Sequence, residues 1–361
     1  VARRDEEPWR LPQSVGGGDI KLKNGVRPLS AFAKARLRRI VNRTPEVVVK
    51  VTGRSRGGAG HLKAHLDYIT RNGRIRAETQ SGELVTDRAR LRALNDEWLM
   101  ANAVEGHSKA GANAAQSVGL ILSMPPGAPR DRVEAAARTW AVETFGGKND
   151  WLMTRHDDTD HPHVHVTVRA VGYAGRRLAP GPEDLQQWRE RFARELRRLG
   201  VAAEATPRQA RGVVRKNARS PIHRGDKRGA DLRVRRSERA EARAEAASPA
   251  PGAPHHWSRA IQSRQDSVRR AYLAHAEELA KGDAADRQLA RDISRFVADM
   301  PVPLTRRQSM AVELRRVLNS EPAYTGVRRS NDPAGPDVLH GARTRSEPST
   351  SPQSPGRERG R

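Results

Sequence analysis

Four of the chain's twelve histidines fall within ten residues, His156-Asp157-Asp158-Thr159-Asp160-His161-Pro162-His163-Val164-His165. From His163 onward the residues alternate, with His163, His165, Thr167 and Arg169 on one side and Val164, Val166, Val168 and Ala170 on the other. A strand puts alternate side chains on opposite faces, so the valines go to a core and both imidazoles project together. If the segment Asp150–Arg155 pairs with this strand across the short loop, His156 returns beside His163. Three convergent imidazoles suit a divalent cation. All-nitrogen ligation favours Mn²⁺, Zn²⁺, Ni²⁺ or Fe²⁺ by softness; Mg²⁺ prefers oxygen, which a bound phosphate supplies. A histidine-rich surface loop is the alternative. His161 sits in the loop itself. Asp158 is either a partner that orients an imidazole or a solvated loop carboxylate.

Four tyrosines are present, Tyr68, Tyr173, Tyr272 and Tyr324. Tyr68 lies in a predicted helix, off the Leu62/Leu66/Ile69 stripe and next to Arg71. A phenol there can meet an anion and attack a phosphodiester if a metal neutralises the phosphate. A half-buried structural tyrosine fits the same residues. Tyr173 follows the histidine strand in a turn, Gly172-Tyr173-Ala174-Gly175, where packing is the natural role. Tyr272 and Tyr324 lie outside the candidate domain. Ser123 closes a strand before Pro125-Pro126-Gly127, and its hydroxyl either bonds a phosphate or merely ends the strand.

The chain of 361 residues carries 67 Lys+Arg against 42 Asp+Glu, a formal charge of +25. Such a cation calls for a polyanionic partner, with nucleic acid ahead of a membrane surface. No apolar run of about 18 residues and no signal peptide is visible. With no cysteine, disulfides, thiolate zinc sites and cysteine nucleophiles are excluded, which fits a cytoplasmic location. Candidate DNA-contacting groups are Ser123, Lys50, Arg54, Arg71, Arg169, Arg208 and Arg211.

The elements that must position these residues run from about Glu46. Val47–Val51 reads as a strand and His61–Arg71 as a helix stopped by Gly73. Thr86–Ala103 is a second helix, Ala115–Ser123 a strand, Arg130–Thr144 a helix. Asp150–Arg155 and His163–Val171 pair as strands, and Glu183–Leu199 is an amphipathic helix. A strand pair joined by a short loop must be antiparallel. The fold class is therefore α+β, an antiparallel or mixed sheet covered by helices, followed by helical and disordered C-terminal segments. Residues 1–45 form a basic flexible arm holding a short basic helix near Ala31–Asn42. The domain proper is 46–215. A basic linker spans 216–254; from Arg208 to Arg239 there are 12 basic residues and 3 acids. A helical accessory region, for partner binding or self-association, covers 255–320. An Arg/Ser/Pro-rich tail over 321–361 is expected to be disordered.

Three ordered motifs resemble those of conjugative relaxases, the mobilisation nucleases of the HUH endonuclease family, and in particular the MobA-like and T-DNA border nucleases. His65-Leu66-Asp67-Tyr68-Ile69-Thr70-Arg71 looks like the nucleophile motif. Leu122-Ser123-Met124-Pro125-Pro126-Gly127 is similar to the segment that grips DNA beside the nick. The histidine run is similar to the metal motif and is the most specific of the three. The resemblance covers about residues 46–215 and departs from the family at Arg169, where an asparagine is common. It implies the HUH relaxase fold, Tyr68 as nucleophile and His156, His163 and His165 as metal ligands; the expected cation is Mg²⁺ or Mn²⁺, and Asp158, beside the histidines, is counted with Tyr68 as a candidate catalytic group. It further implies DNA contact at Ser123 and nicking of single-stranded DNA at a plasmid transfer origin through a 5′-phosphotyrosyl link. The partners it implies are relaxosome accessory proteins, a coupling protein and a type IV secretion system, with export into a recipient cell. The Arg-rich end, Arg357–Arg361, is either an export signal or an ordinary solvated tail. A replication initiator of the same chemistry is a rival, but such proteins tend to place the tyrosine after the histidines. A non-catalytic basic DNA-binding protein explains the charge but not the histidine spacing. A metallohydrolase explains the histidines but has no need of Tyr68.

Overall fold

The structure, a computed structural model, describes residues 28–106, 113–213, 218, 220–248 and 256–320. The N-terminal arm to residue 27 and the tail from 321 lie outside the described residues. Six strands form one sheet in the order β1-β4-β6-β5-β2-β3: β1 (Val48–Ser55), β2 (Ala77–Thr79), β3 (Leu84–Val85), β4 (Ser117–Ser123), β5 (Trp151–His156) and β6 (His163–Arg169). Every pairing is antiparallel, which resolves the antiparallel-or-mixed expectation. Among the described residues, no helix is long and apolar enough to cross a membrane.

The sheet separates two cores. Beneath it, α4 (Arg130–Phe145) and α5 (Pro182–Arg198) bury Val133, Trp140, Phe145, Trp188, Phe192 and Leu196 against Val49, Val118, Leu120, Leu122, Val164, Val166 and Val168. The valine side of the histidine strand is thus the core side, as alternation requires. On the other face, α2 (Ala59–Ile69) and α3 (Arg88–Glu105) bury Leu62, Leu66, Ile69, Leu91, Leu94 and Trp98 with Leu152 of β5. Beside that smaller core, on the same face, lie the buried imidazoles of His156, His163 and His165.

Helix α2 stops at Ile69, two residues before the predicted end. Arg71, Asn72 and Gly73 all take positive φ, 51°, 61° and 79°, which no right-handed helix accommodates. Asn72 donates its amide to the Asp67 carbonyl and Ile75 to the Thr70 carbonyl, closing the helix end.

The basic helix expected near Ala31–Asn42 is α1 (Ala31–Val41), capped by Ser30. It is packed rather than free: Leu37 and Ile40 are buried with Val268 and Tyr272 of α8 (His256–Ala280) and Ile293 and Phe296 of α9 (Ala284–Ala298). The stretch read as a linker contains α6 (Ser220–Lys227) and α7 (Arg233–Ala247), and the last described helix is α10 (Arg306–Ser320).

Candidate metal centre and phosphate-facing surface

Register brings the candidate residues into rows across one face. Val48 pairs with Ser123, Ser123 with His163, and His163 with His156. One step along, Lys50 pairs with Ile121, Ile121 with His165, and His165 with Thr154. Paired residues share a face, so Ser123, Lys50 and the three imidazoles lie on one side. A bulge between Val51 and Gly53 shifts β1, and Arg54 then pairs with Val118, a residue of the opposite core. Arg54 is therefore on the α5 side, not with the histidines.

The rings of His156 and His165 are 4.5 Å apart by centroid, those of His156 and His163 5.3 Å, and those of His163 and His165 5.4 Å. One ligand nitrogen from each lies within 4.8 Å of the others. Two nitrogens about 2.1 Å from one cation are at most about 4.2 Å apart, so a modest rotation completes a site. In two of them, His156 and His163, one ring nitrogen is already engaged. His156 Nε2 is 2.5 Å from the Ile69 carbonyl, and His163 Nδ1 is 2.9 Å from the His161 carbonyl. A carbonyl only accepts, so both nitrogens carry the proton, leaving Nδ1 of His156 and Nε2 of His163 as lone-pair donors. Backbone carbonyls in this role orient metal-ligating imidazoles. Burial, and then the neighbouring His156 and His163, push His165 down to about 3. Burial also lowers His156, against the opposing pull of its bond to Ile69. Neutral imidazole is the ligand form, so the residues present fit a divalent cation.

Tyr68 stands at the last turn of α2 with 61% of its surface exposed, which leaves the half-buried structural tyrosine without support. The bond from His156 to Ile69 docks this helix end directly on the histidines. Arg71 places its guanidinium 5.2 Å from the Tyr68 ring centroid and donates to Asp158 at 2.6 Å. Asp158 lies 3.9 Å from His163 Nε2. The Arg71 bond holds its carboxyl below the usual carboxylate range, so it is an anion between a cation and an imidazole. The loop that carries it is tied to α4, where Arg130 donates to Asp157 and to the Thr159 carbonyl.

His65 was not among the predicted site residues. Its Nε2 is 2.9 Å from Thr167 Oγ1, over Gly119 of β4, where an added Cβ would meet the ring at 2.9 Å. On the helical wheel His65 falls between the apolar stripe and Tyr68, the signal that could have found it.

Arg169 is a correction. It is completely buried and ion-paired with Asp150 and Glu105 at 2.5 and 2.6 Å, at the far end of β6 from the histidines. No part of it can reach a DNA strand; it ties the sheet end to α3. Tyr173 donates to the same Asp150, and burial with this bond pushes its hydroxyl up to about 12. Arg208 and Arg211 lie in a 3₁₀ turn, Arg208–Arg211, with Arg211 paired to Glu46 at 3.4 Å; neither is in the histidine rows. Lys50 is exposed on β1, the edge strand.

Residues 68–200 match the family model of the relaxase MobA/VirD2-like nuclease domain. The chain is 26% identical over 173 residues to the T-DNA border endonuclease VirD2 of Rhizobium radiobacter, covering 44% of this chain and 41% of that protein. It is 27% identical over 163 residues to the VirD2 protein of Agrobacterium fabrum, covering 41% of this chain and 36% of that one. The matched stretch thus spans about two-fifths of the length of these relatives. A solved structure titled "Molecular Basis of Vancomycin Resistance Transfer in Staphylococcus aureus" aligns with 13% identity and a TM-score of 0.31, covering 45% of this chain and 98% of that one. Residues 68–200, which hold Tyr68, Ser123 and all three convergent histidines, are thus the stretch in which this chain is similar to MobA/VirD2-like relaxase nuclease domains.

Proposed function

We propose that the protein nicks single-stranded DNA at a transfer origin by tyrosine transesterification. The observation that carries this reading is the docking of the Tyr68 helix onto an imidazole cluster by the His156–Ile69 bond. His156, His163 and His165 would hold a divalent cation, which supplies charge neutralisation at a non-bridging phosphate oxygen. Manganese suits the nitrogen donors, and magnesium becomes suitable once phosphate oxygens join them.

The chain's own groups divide the remaining work. Ser123 and Lys50, on the same face as the histidines, hold phosphates on either side of the scissile bond. Arg71 has five N–H donors and uses only part of them on Asp158 and the Tyr68 carbonyl. It is the cation nearest the tyrosine and can follow the phosphate as charge builds. Asp158 keeps Arg71 and His163 in register and has no free proton to give. The Tyr68 oxygen attacks phosphorus and a new phosphorus–oxygen bond forms as the bond to the 3′ oxygen breaks. The phenolic proton leaves to solvent and the departing 3′ oxygen takes one up. The product is a 5′-phosphotyrosyl link and a free 3′-hydroxyl, and the reverse step rejoins the ends.

Incubation with labelled single strands from the DNA flanking the gene, with Mn²⁺ or Mg²⁺ and with a chelator, tests this. A metal-dependent covalent protein–DNA band that disappears in Tyr68→Phe is expected. Cleavage with no adduct would replace the nucleophile by activated water. Transfer to a coupling protein and a type IV secretion channel is the biological setting this reading implies.

A further inference from the structure

Helix α5 has two faces. Trp188, Phe192, Ala193 and Leu196 enter the core beneath the sheet, while its outer side joins α1 to form a groove of about 740 Å³. Six arginines line it, Arg36 and Arg39 from α1 and Arg191, Arg194, Arg197 and Arg198 from α5, against only Glu190 and Glu204. Even with Glu143 and Glu195 behind them, two positive charges remain in surplus. The groove is built rather than fortuitous. Arg36 donates to Glu190 and to the Ala205 carbonyl, Arg39 to Glu204, and Arg197 to the Ala203 carbonyl, so the forks are held in place with further N–H groups to spare. Burial, with the crowding of Arg39 added, lowers Arg197, a strain that an anion between the guanidiniums relieves. On the same wall Phe32 presents a large ring that is 60% exposed among the described residues.

A cationic trench with an exposed aromatic ring is the arrangement that takes a single nucleic-acid strand, phosphates on the guanidiniums and a base on the ring. We propose that the α1–α5 groove is a second binding site for single-stranded DNA, on the opposite side of the sheet from the histidines. Duplex suits it less, since stacked bases offer Phe32 no face. The groove adjoins the start of the edge strand β1, where the Val47 amide donates to the carbonyl of Glu204 in the groove wall, and exposed Lys50 lies just beyond on the histidine side. A strand leaving the groove can therefore pass around this edge toward Tyr68, and the site would retain DNA flanking a nick. The proposal rests on the DNA-processing reading above but concerns residues outside its chemistry.

The test measures anisotropy of a labelled 30-nucleotide oligothymidine, and of a duplex of equal length, with the full chain over a salt series. Phe32→Ala and Arg191→Gln/Arg194→Gln are compared with wild type; Arg198 remains on both Glu143 and Glu195, and circular dichroism checks the fold. Losing one stacked base predicts at least about a 5-fold weaker single-strand affinity for Phe32→Ala with an unchanged salt slope. Losing two phosphate contacts predicts a slope shallower by about 1.4 for the double variant. Unchanged affinity and slope in both variants overturn the proposal and leave the groove to an acidic protein partner. Equal losses on duplex and single strand, with Phe32→Ala silent, overturn the single-strand assignment. The adduct assay is separate: a chain that forms no adduct but shows these losses keeps the groove and loses the nicking reading.

Discussion

Gly119 offers a test of how Tyr68 is positioned without altering the tyrosine or any of the three convergent histidines. A Cβ at this position would lie 2.9 Å from Cε1 and Nε2 of His65 and 2.9 Å from Thr52 Oγ1. Non-bonded heavy atoms settle at about 3.5–4.0 Å, so Gly119→Ala must drive these groups back by roughly half an ångström or more. Thr52 is exposed on the edge strand and can turn away. His65 cannot, because its Nε2 is bonded to Thr167 and its helix is anchored by buried Leu62, Leu66 and Ile69. Overpacking of this kind costs about 1–3 kcal/mol, offset by about 0.5–1 kcal/mol from replacing glycine within a strand. The net loss is about 1–2 kcal/mol, a fall in Tm of about 2–4 °C per kcal/mol for a domain of this size. The functional effect should be larger, because α2 lifts on the side that carries Tyr68 and a misplacement approaching 1 Å costs about 100-fold. Single-turnover adduct formation on a labelled single strand, read beside a thermal melt, gives both numbers. The double variant Gly119→Ala/His65→Ala empties the crowded space and should recover Tm without recovering the rate. An unchanged rate and Tm in Gly119→Ala would refute the idea that the His65–Thr167 contact sets the tyrosine.

Tyr68→Phe should abolish the adduct while leaving Tm unchanged within about 0.5 kcal/mol, because the side chain is largely exposed; a large loss of stability would return Tyr68 to a structural role. His163→Ala should remove the thermal stabilisation that Mn²⁺ confers, worth about 2.7 kcal/mol at 100 times the dissociation constant, and a metal-induced shift that survives the substitution would place the cation elsewhere. Arg169→Ala strands Asp150 and Glu105 and should cost about 3 kcal/mol in chemical denaturation, yet leave the salt slope of DNA binding unchanged; a shallower slope would restore Arg169 as a phosphate contact. Arg71→Gly removes a left-handed non-glycine residue, a gain of about 1 kcal/mol, and a half-exposed ion pair worth no more than that. Its stability should therefore barely change while nicking falls at least about 10-fold, and full activity would remove Arg71 from the chemistry.

What the sequence made legible follows from how locally each feature is encoded. The histidine face was readable because three valines and two histidines alternate within six residues, and a tight loop forces His156 back beside His163. The long helices were readable from their apolar stripes, with ends displaced by a residue or two. Strands β2 and β3 were not, since three and two residues carry no period. Helix α7 was hidden because only Arg235, Ala242 and Ala246 are buried along it, so no apolar stripe marks it. Arg169 misled for a different reason: its partners Asp150 and Glu105 are 19 and 64 residues away, and only the fold brings them to the sheet end. His65 shows the same limit within the candidate site. Its neighbours in sequence are helical, but the contacts that give it meaning, Thr167 and the bare backbone of Gly119, belong to two strands that pair with each other far along the chain. The parts of a site that hold a cation can be written in one short motif, because ligands must converge. The parts that aim a nucleophile are distributed, because aiming requires a second element to be held at a fixed height above the first. For Tyr68, the nucleophile proposed above, two imidazole contacts of opposite direction hold its helix on the sheet, His65 from helix to sheet and His156 from sheet to helix end. Breaking either one should therefore misplace Tyr68 even when the other histidines remain intact.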